Sequence, residues 1–185
     1  RQALPAHINC SLRVVRERSE TLAVRQDIVQ PMHSTEDHGA MVTVYADGGM
    51  GYAATSDLSL SGLRHAIEQA QNWARQSAGR SVVDWHSIVM PTPHGEYSSH
   101  ENIPWESISL ADKLALLQTE CRRLHSDPRI VDWEASLWHT TTETLYLTAD
   151  GGRVWQHFRY LVPMLSATAN AGADTQTRTF GGRGY

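Results

Sequence analysis

The stretch MVTVYADGGMGYAATSDLS, residues 41–59, decides how the rest of the chain is read. Two short β-rich segments flank Asp47-Gly48-Gly49. Asp-Gly between such segments favours a tight hairpin, because both central positions of a type I′ turn need positive φ. On the returning strand Gly51, Ala53 and Ala54 leave room for another backbone to come close. Ser59 then supplies an N-cap. Leu60, Leu63, Ile67, Ala70 and Ala74 step by three and four, so a helix with one apolar stripe is expected from Leu60 to Ala78, stopped by Gly79.

Upstream, Cys10, Leu12 and Val14 alternate with charged residues, and Leu22, Val24 and Ile28 repeat the pattern against Arg25 and Asp27. The polar run Glu17-Arg18-Ser19-Glu20 predicts a turn between them, hence an antiparallel pair with one wet face. Residues 31–39 are polar, hold His33 and His38, and read as a connection into the hairpin. Residues 80–108, with Pro91, Pro93 and Pro104, read as irregular and are where a domain boundary would fall. A second helix is expected after Ser109, with Asp112 in a capping-box-like position and Leu110, Leu114, Leu117, Cys121 and Leu124 as its stripe. Asp127-Pro128 ends it.

The remainder reads as β. Val131, Trp133, Ala135 and Leu137 alternate with Asp132, Glu134 and Ser136, and Leu145 and Leu147 mark a further strand. Asp150-Gly151 begins another tight turn, whose likeness to the first is local chemistry rather than a repeat. A run over 153–169 is expected to break or bulge at Pro163, and a last strand near Thr175–Phe180 enters Gly181-Gly182-Arg183-Gly184. Segregated strands and helices predict an α+β fold, with antiparallel sheets built from hairpins and two amphipathic helices between the strand groups.

At 185 residues and 41% hydrophobic content the chain can bury a sizeable core. A net charge of −4 without a long basic run disfavours nucleic acid as a partner. Cys10 and Cys121 are unclustered and read as reduced, buried thiols of a cytoplasmic protein. No apolar run approaches the ~20 residues of a membrane helix, so no membrane partner is expected. No signal peptide is evident, and the chain opens at Arg1 rather than Met.

Ten histidines prompt a search for metal ligands. A helix-borne zinc site needs His residues three or four apart with a third ligand nearby. His65 and His125 sit alone on the two helices, and His94, His100 and Glu101 would at most gather a surface ion. No HExxH, HExxxH or GxSxG string occurs, so no catalytic or metal residue is assigned. Asp132 and Glu134 share a strand face that reads as the wet side rather than an acid/base pair. Trp133 reads as core, while Trp138 and Trp155 fit either core or an exposed platform. The terminal Gly181, Gly182, Arg183 and Gly184 admit three readings: a plain terminus, contact with a peptide or partner by strand addition, or an anion nest.

Four ordered blocks, SLRVVRERSETLAVRQDIVQ, STEDHGAMVTVYADGGMGYAATSDLSLSGLRHAIEQA, YLTADGGRVWQ and TRTFGGRGY, together resemble the N-terminal half of the TldD/PmbA proteins, also labelled modulators of DNA gyrase. Met50 stands where that family usually has an aromatic residue, Ser56 where it has Asn, and Ala149-Asp150 where its later turn has Asn-Ser. The resemblance implies a zinc-dependent peptidase for extended or unfolded peptides, whose HExxxH helix would lie beyond Tyr185. Residues 1–185 would then be a non-catalytic N-terminal region with no cofactor of its own, zinc being expected in the catalytic domain. It also implies pairing with a related subunit, as homo- or hetero-oligomer. Gly181, Gly182, Arg183 and Gly184 are the candidate peptide or partner contacts. Two other readings stand beside it: an interaction protein acting on DNA gyrase, and a small-ligand domain with an apolar pocket around Trp138 and Trp155.

Overall fold

The computed structural model describes residues 9–83, 85 and 90–181; Gly182, Arg183 and Gly184 lie outside the described residues. In chain order the elements are β1 (Asn9–Arg25), β2 (Ile28–Val29), β3 (His33–Ala46), β4 (Gly49–Thr55), α1 (Leu60–Ser77) and β5 (His94–Ser98). A 3₁₀ turn at Trp105–Ser107 follows, then α2 (Leu110–Leu124), β6 (Ile130–Thr148), β7 (Arg153–Ala171) and β8 (Asp174–Gly181). The strands join one sheet in the order β4-β3-β1-β6-β7-β5, with β2 added to β1 and β8 to β7. The hairpin ladders β1/β2, β3/β4 and β7/β8 are antiparallel. The α+β expectation therefore holds, with one addition: β5 runs parallel to β7, from His94↔Arg153 to Ser98↔His157.

Several expected breaks are absent. The run Glu17–Glu20 does not turn but lies within the single strand β1. Cys10, Leu12, Leu22 and Val24 are all buried and all even-numbered, so the alternation never changes phase. The polar residues between them find partners instead. Ser19 Oγ bonds Thr140 Oγ1 at 2.8 Å, Trp105 Nε1 donates to Glu20 at 2.9 Å, and Arg18 donates to Glu36 at 3.0 Å. The chain turns later, at Gln26-Asp27, where φ is 49° and 64°. Ile28 belongs to the short return strand and is 67% exposed rather than part of the stripe.

Residues 33–39, expected as a connection, are the polar start of β3. Leu137 and Leu145 belong to one strand, not two. Pro163 does not interrupt β7, because the β5 ladder ends at His157 and the β8 ladder begins at Met164, so its missing N–H costs neither. Within the segment read as irregular, β5 forms because Arg153 N–H donates to Pro93 O at 2.8 Å and Thr92 Oγ1 donates to Asp150. These contacts bring the chain alongside the start of β7.

The chain divides into two compact units. The first comprises the described part of Arg1–Glu17 with Asp37–Ser98 and Thr142–Phe158. Its core packs Cys10, Leu12, Val42, Val44 and Ala53 against Ala66, Ile67, Ala70 and Ala74 of α1. The hairpin forms as expected: Asp47 and Gly48 have φ of 54° and 76°, and Ala46 pairs with Gly49. Ser59 Oγ accepts from Gly62 N–H at 3.1 Å, which caps α1. A Cβ on Gly51 would lie 2.2 Å from Ala70 O, so the helix backbone rests directly on the strand.

The second unit comprises Arg18–Glu36, Ser99–Thr141 and the described part of Arg159–Tyr185. Leu22, Val24, Trp105, Leu117, Cys121, Ala135 and Leu137 form its core, with Trp133 packed partly against it. Ser109 and Asp112 cap α2, the hydroxyl accepting from Asp112 N–H at 3.1 Å and donating to its carboxylate at 2.6 Å. Cys10 and Cys121 are free thiols buried in the two separate cores.

Candidate functional site on the open sheet face

In the first unit α1 covers one face of the sheet. Cys10 and Leu12 point into that core, so Ser11, Arg13 and Val15 between and beyond them point to the other face. The register Thr43↔Tyr52 and Tyr45↔Met50 places those residues on the side away from α1, where the Trp85 ring packs against Tyr45 at 4.9 Å. Two clefts open there. One, of about 620 Å³, is lined by Arg13, Val15, Glu17, Asp37, His38, Met41 and the Ala54–Ser56 segment among others. The second, of about 500 Å³, is lined by Ser11, Arg13, Met41, Thr43, Tyr45, Thr144, Tyr146, Val154 and Gln156. Arg13 and Met41 belong to both.

Arg13 differs from the other arginines of this unit's sheet. Arg153 pairs with Glu96 at 2.6 Å, whereas Arg13 has no ion pair or side-chain hydrogen bond among the described residues. Burial pushes the Tyr45 phenol up, and the adjacent Tyr146 adds to the shift. The face thus gathers one guanidinium, several hydroxyls and a few apolar side chains, an arrangement suited to holding a polar ligand.

The sheet also ends in exposed backbone. Ser77 Oγ accepts from Met50 N–H at 2.9 Å and donates to Met50 O at 2.8 Å, so those groups point off the outer edge of β4. By the two-residue period, the backbone groups of Tyr52 and Ala54 point the same way. In the second unit, Asn170 N–H donates to Arg129 O, away from β8. Its partner Thr175, and by period Thr177, Thr179 and Gly181, therefore direct N–H and C=O off the free edge of β8. Gly181 has φ of 97°, and a Cβ there would lie 2.1 Å from Pro163 O. Only glycine fits that strand end.

The histidines are placed separately. His65 bonds Gln69, His100 bonds Asn102, and His125 stacks on Trp133 at 4.0 Å. Glu101 pairs with Arg159 at 3.1 Å. Among the described residues no three His, Cys, Asp or Glu side chains come together to hold a metal ion. The described residues do not fit zinc. Asp132 accepts two hydrogen bonds of 2.8 Å from Arg25, which hold its carboxyl below the usual range. Trp155 donates to Glu143 at 2.7 Å, and Trp138 is 44% exposed; neither lines the clefts described above.

Two groupings escaped sequence reasoning. The open face with Arg13, Tyr45 and Tyr146 depends on strand order, which no local pattern encodes. In the second unit, Lys113 Nζ lies 3.6 Å over the Trp105 ring, and His139 stacks on the same indole at 4.8 Å. A signal existed for the lysine, since Lys113, Leu117 and Cys121 recur at i, i+4 on the buried face of α2.

Known proteins bear on this arrangement. Residues 10–74, which include the first unit's hairpin and most of its helix, match the family model of PmbA/TldA metallopeptidase domain 1. Over those residues the resemblance to TldD/PmbA proteins read from the sequence holds. Among solved structures, a proposed DNA gyrase modulator from Thermotoga maritima is similar at 14% identity and TM-score 0.71, covering 94% of this chain and 38% of its own. One of the same description from Bacteroides thetaiotaomicron has 14% identity and TM-score 0.74, covering 93% of this chain and 40% of its own. TldE from Thermococcus kodakarensis has 16% identity and TM-score 0.65, covering 94% of this chain and 39% of its own. At such identities these likenesses speak for the fold. The chain spans about two fifths of the length of those solved proteins. No curated protein matches. No helix among the described residues is long and apolar enough to cross a membrane.

Proposed function

We propose that this chain is the substrate- and partner-contacting scaffold of a TldD-like zinc-dependent peptidase that processes extended or unfolded peptides. The bond-breaking groups, zinc included, would come from a catalytic domain outside these residues. The observation that carries the reading is the uncovered sheet face with its two clefts, formed within and beside the segment that matches the family's first domain. Exposed edges at β4 and β8 suit strand addition by an extended peptide or a related subunit in a homo- or hetero-oligomer. Gly181, together with Gly182, Arg183 and Gly184, would take part in those contacts. Two buried, unpaired thiols are in keeping with a cytoplasmic setting.

Metal analysis by mass spectrometry and a casein-cleavage assay on the 185-residue chain test this reading. The expected result is no stoichiometric zinc, no cleavage, and measurable binding of unfolded casein fragments. Tight zinc with turnover overturns it. A second reading, an interaction protein acting on DNA gyrase, is supported by the names of two of the similar structures. Capture of purified gyrase that survives high salt would favour it.

A further inference from the structure

We propose that the cleft of about 500 Å³ on the open face of the first unit is a carboxylate-binding site, in which Arg13 anchors an acidic side chain of an extended peptide. The inference rests on the reading of this face as peptide-contacting and names the peptide class it would take.

Arg13 is the sole charged residue lining this cleft, and it makes no ion pair or side-chain hydrogen bond among the described residues. Around it stand the hydroxyls of Thr43, Thr144, Tyr45 and Tyr146 and the amide of Gln156, each able to donate to an oxyanion. A guanidinium presents a planar fork that matches a carboxylate through two parallel hydrogen bonds. Met41 and Val154 supply apolar wall for the aliphatic stem of Glu or Asp.

The neighbouring cleft sharpens the choice. Glu17 and Asp37 line it beside Arg13, so an acidic group moved in that direction meets like charge. The acid is therefore seated on the Tyr45 and Tyr146 side of Arg13. A peptide lying along the face would direct a neutral or cationic residue toward Glu17 and Asp37.

The test uses the full chain and two fluorescent, β-prone pentapeptides that differ only in Glu or Gln at the central position. Anisotropy titrations at low salt should show the Glu peptide binding about tenfold more tightly, as a charge-assisted pair allows. The preference should shrink as salt rises. Arg13→Gln should abolish it, Arg13→Lys should retain part of it, and Arg75→Gln on α1 should leave it unchanged. Equal binding of both peptides to the wild type, or a Glu preference that survives Arg13→Gln, overturns the carboxylate site while leaving peptide contact intact. If neither peptide binds, the peptide-scaffold reading fails instead. Titration with glutarate, followed by NMR at the Arg13 side chain and the two tyrosines, then decides the site by itself: saturable shifts support it, and no shifts overturn it.

Discussion

Gly51→Ala asks most directly whether the contact between β4 and α1 holds the first unit together. A Cβ at this position would lie 2.2 Å from Ala70 O, 2.4 Å from Ala74 N and 2.7 Å from Trp73 Cβ. Ordinary non-bonded carbon contacts sit at about 3.5–4.0 Å. The helix must therefore retreat by more than about 1 Å along its packed face, since two of the three obstructing atoms are backbone. Overpacking of this kind costs about 1–3 kcal/mol, and rigid backbone on both sides places this case at the upper end. The alanine also restricts the unfolded chain, which returns about 0.4–1 kcal/mol. The net loss is about 2 kcal/mol, or a fall in Tm of about 4–8 °C for a chain of this size. Urea unfolding followed by tryptophan fluorescence measures it. Gly95→Ala is the control, because nothing lies within 4 Å of its Cβ, and it should be neutral. If Gly51→Ala unfolds at the wild-type midpoint, the close approach does not support the fold and the reasoning fails.

The other expectations concern the second unit, the caps and the thiols. Burial beside Trp105 and Lys113 pushes the His139 pKa below its ordinary 6.5, against the opposing influence of Glu106, Glu20 and Glu101. The unfolded chain then binds the proton more readily, so the contribution of His139 is fully present above pH 6.5 and is lost as pH falls toward the folded value. Denaturation at pH 5 and 7.5 should show a stability difference that shrinks in His139→Gln; an unchanged difference would discard this assignment. Ser59→Ala and Ser109→Ala each remove a hydroxyl cap and should cost about 1 kcal/mol by urea unfolding, with no loss in either counting against the caps. Burial raises the Cys10 thiol to about 11 and pushes Cys121 up as well. Neither should react with Ellman's reagent at pH 8 in the native chain, and both should react in urea; rapid native labelling would contradict their burial.

Much of the local structure was legible because its causes are local. Asp47-Gly48 carries positive φ in the turn, as the dipeptide implied. Ser59 and Ser109 cap their helices by contacts within three residues. Gly51 was expected to admit another backbone, and that backbone is α1. Two of the errors shared one cause, the treatment of polarity as a sign of turning. Glu17–Glu20 stays in a strand because Thr140, Trp105 and Glu36 satisfy it from elsewhere in the second unit. The histidine-containing segment 94–98 becomes a strand because Arg153 and Asp150 fasten the residues before it.

The candidate site divides along the same line. The glycine at 181 could be singled out from composition, and its role at a strand end is visible only where Pro163 crosses it. Arg13 could be read only as the polar phase of an alternating strand. Its company with Tyr45 and Tyr146 comes from the strand order β3-β1-β6, which joins residues more than a hundred positions apart.

The amino-acid sequence by itself determined the hairpin, the two capped helices, the even-numbered apolar phase of β1 and the likeness to TldD/PmbA chains. Tertiary structure alone decided where the long strands continue and which face of the sheet stays open. The physical reason is the range of the interactions. Turn dihedrals and caps are satisfied within a few residues, whereas a polar strand segment or an unpaired guanidinium acquires its meaning from partners that only the folded sheet brings near.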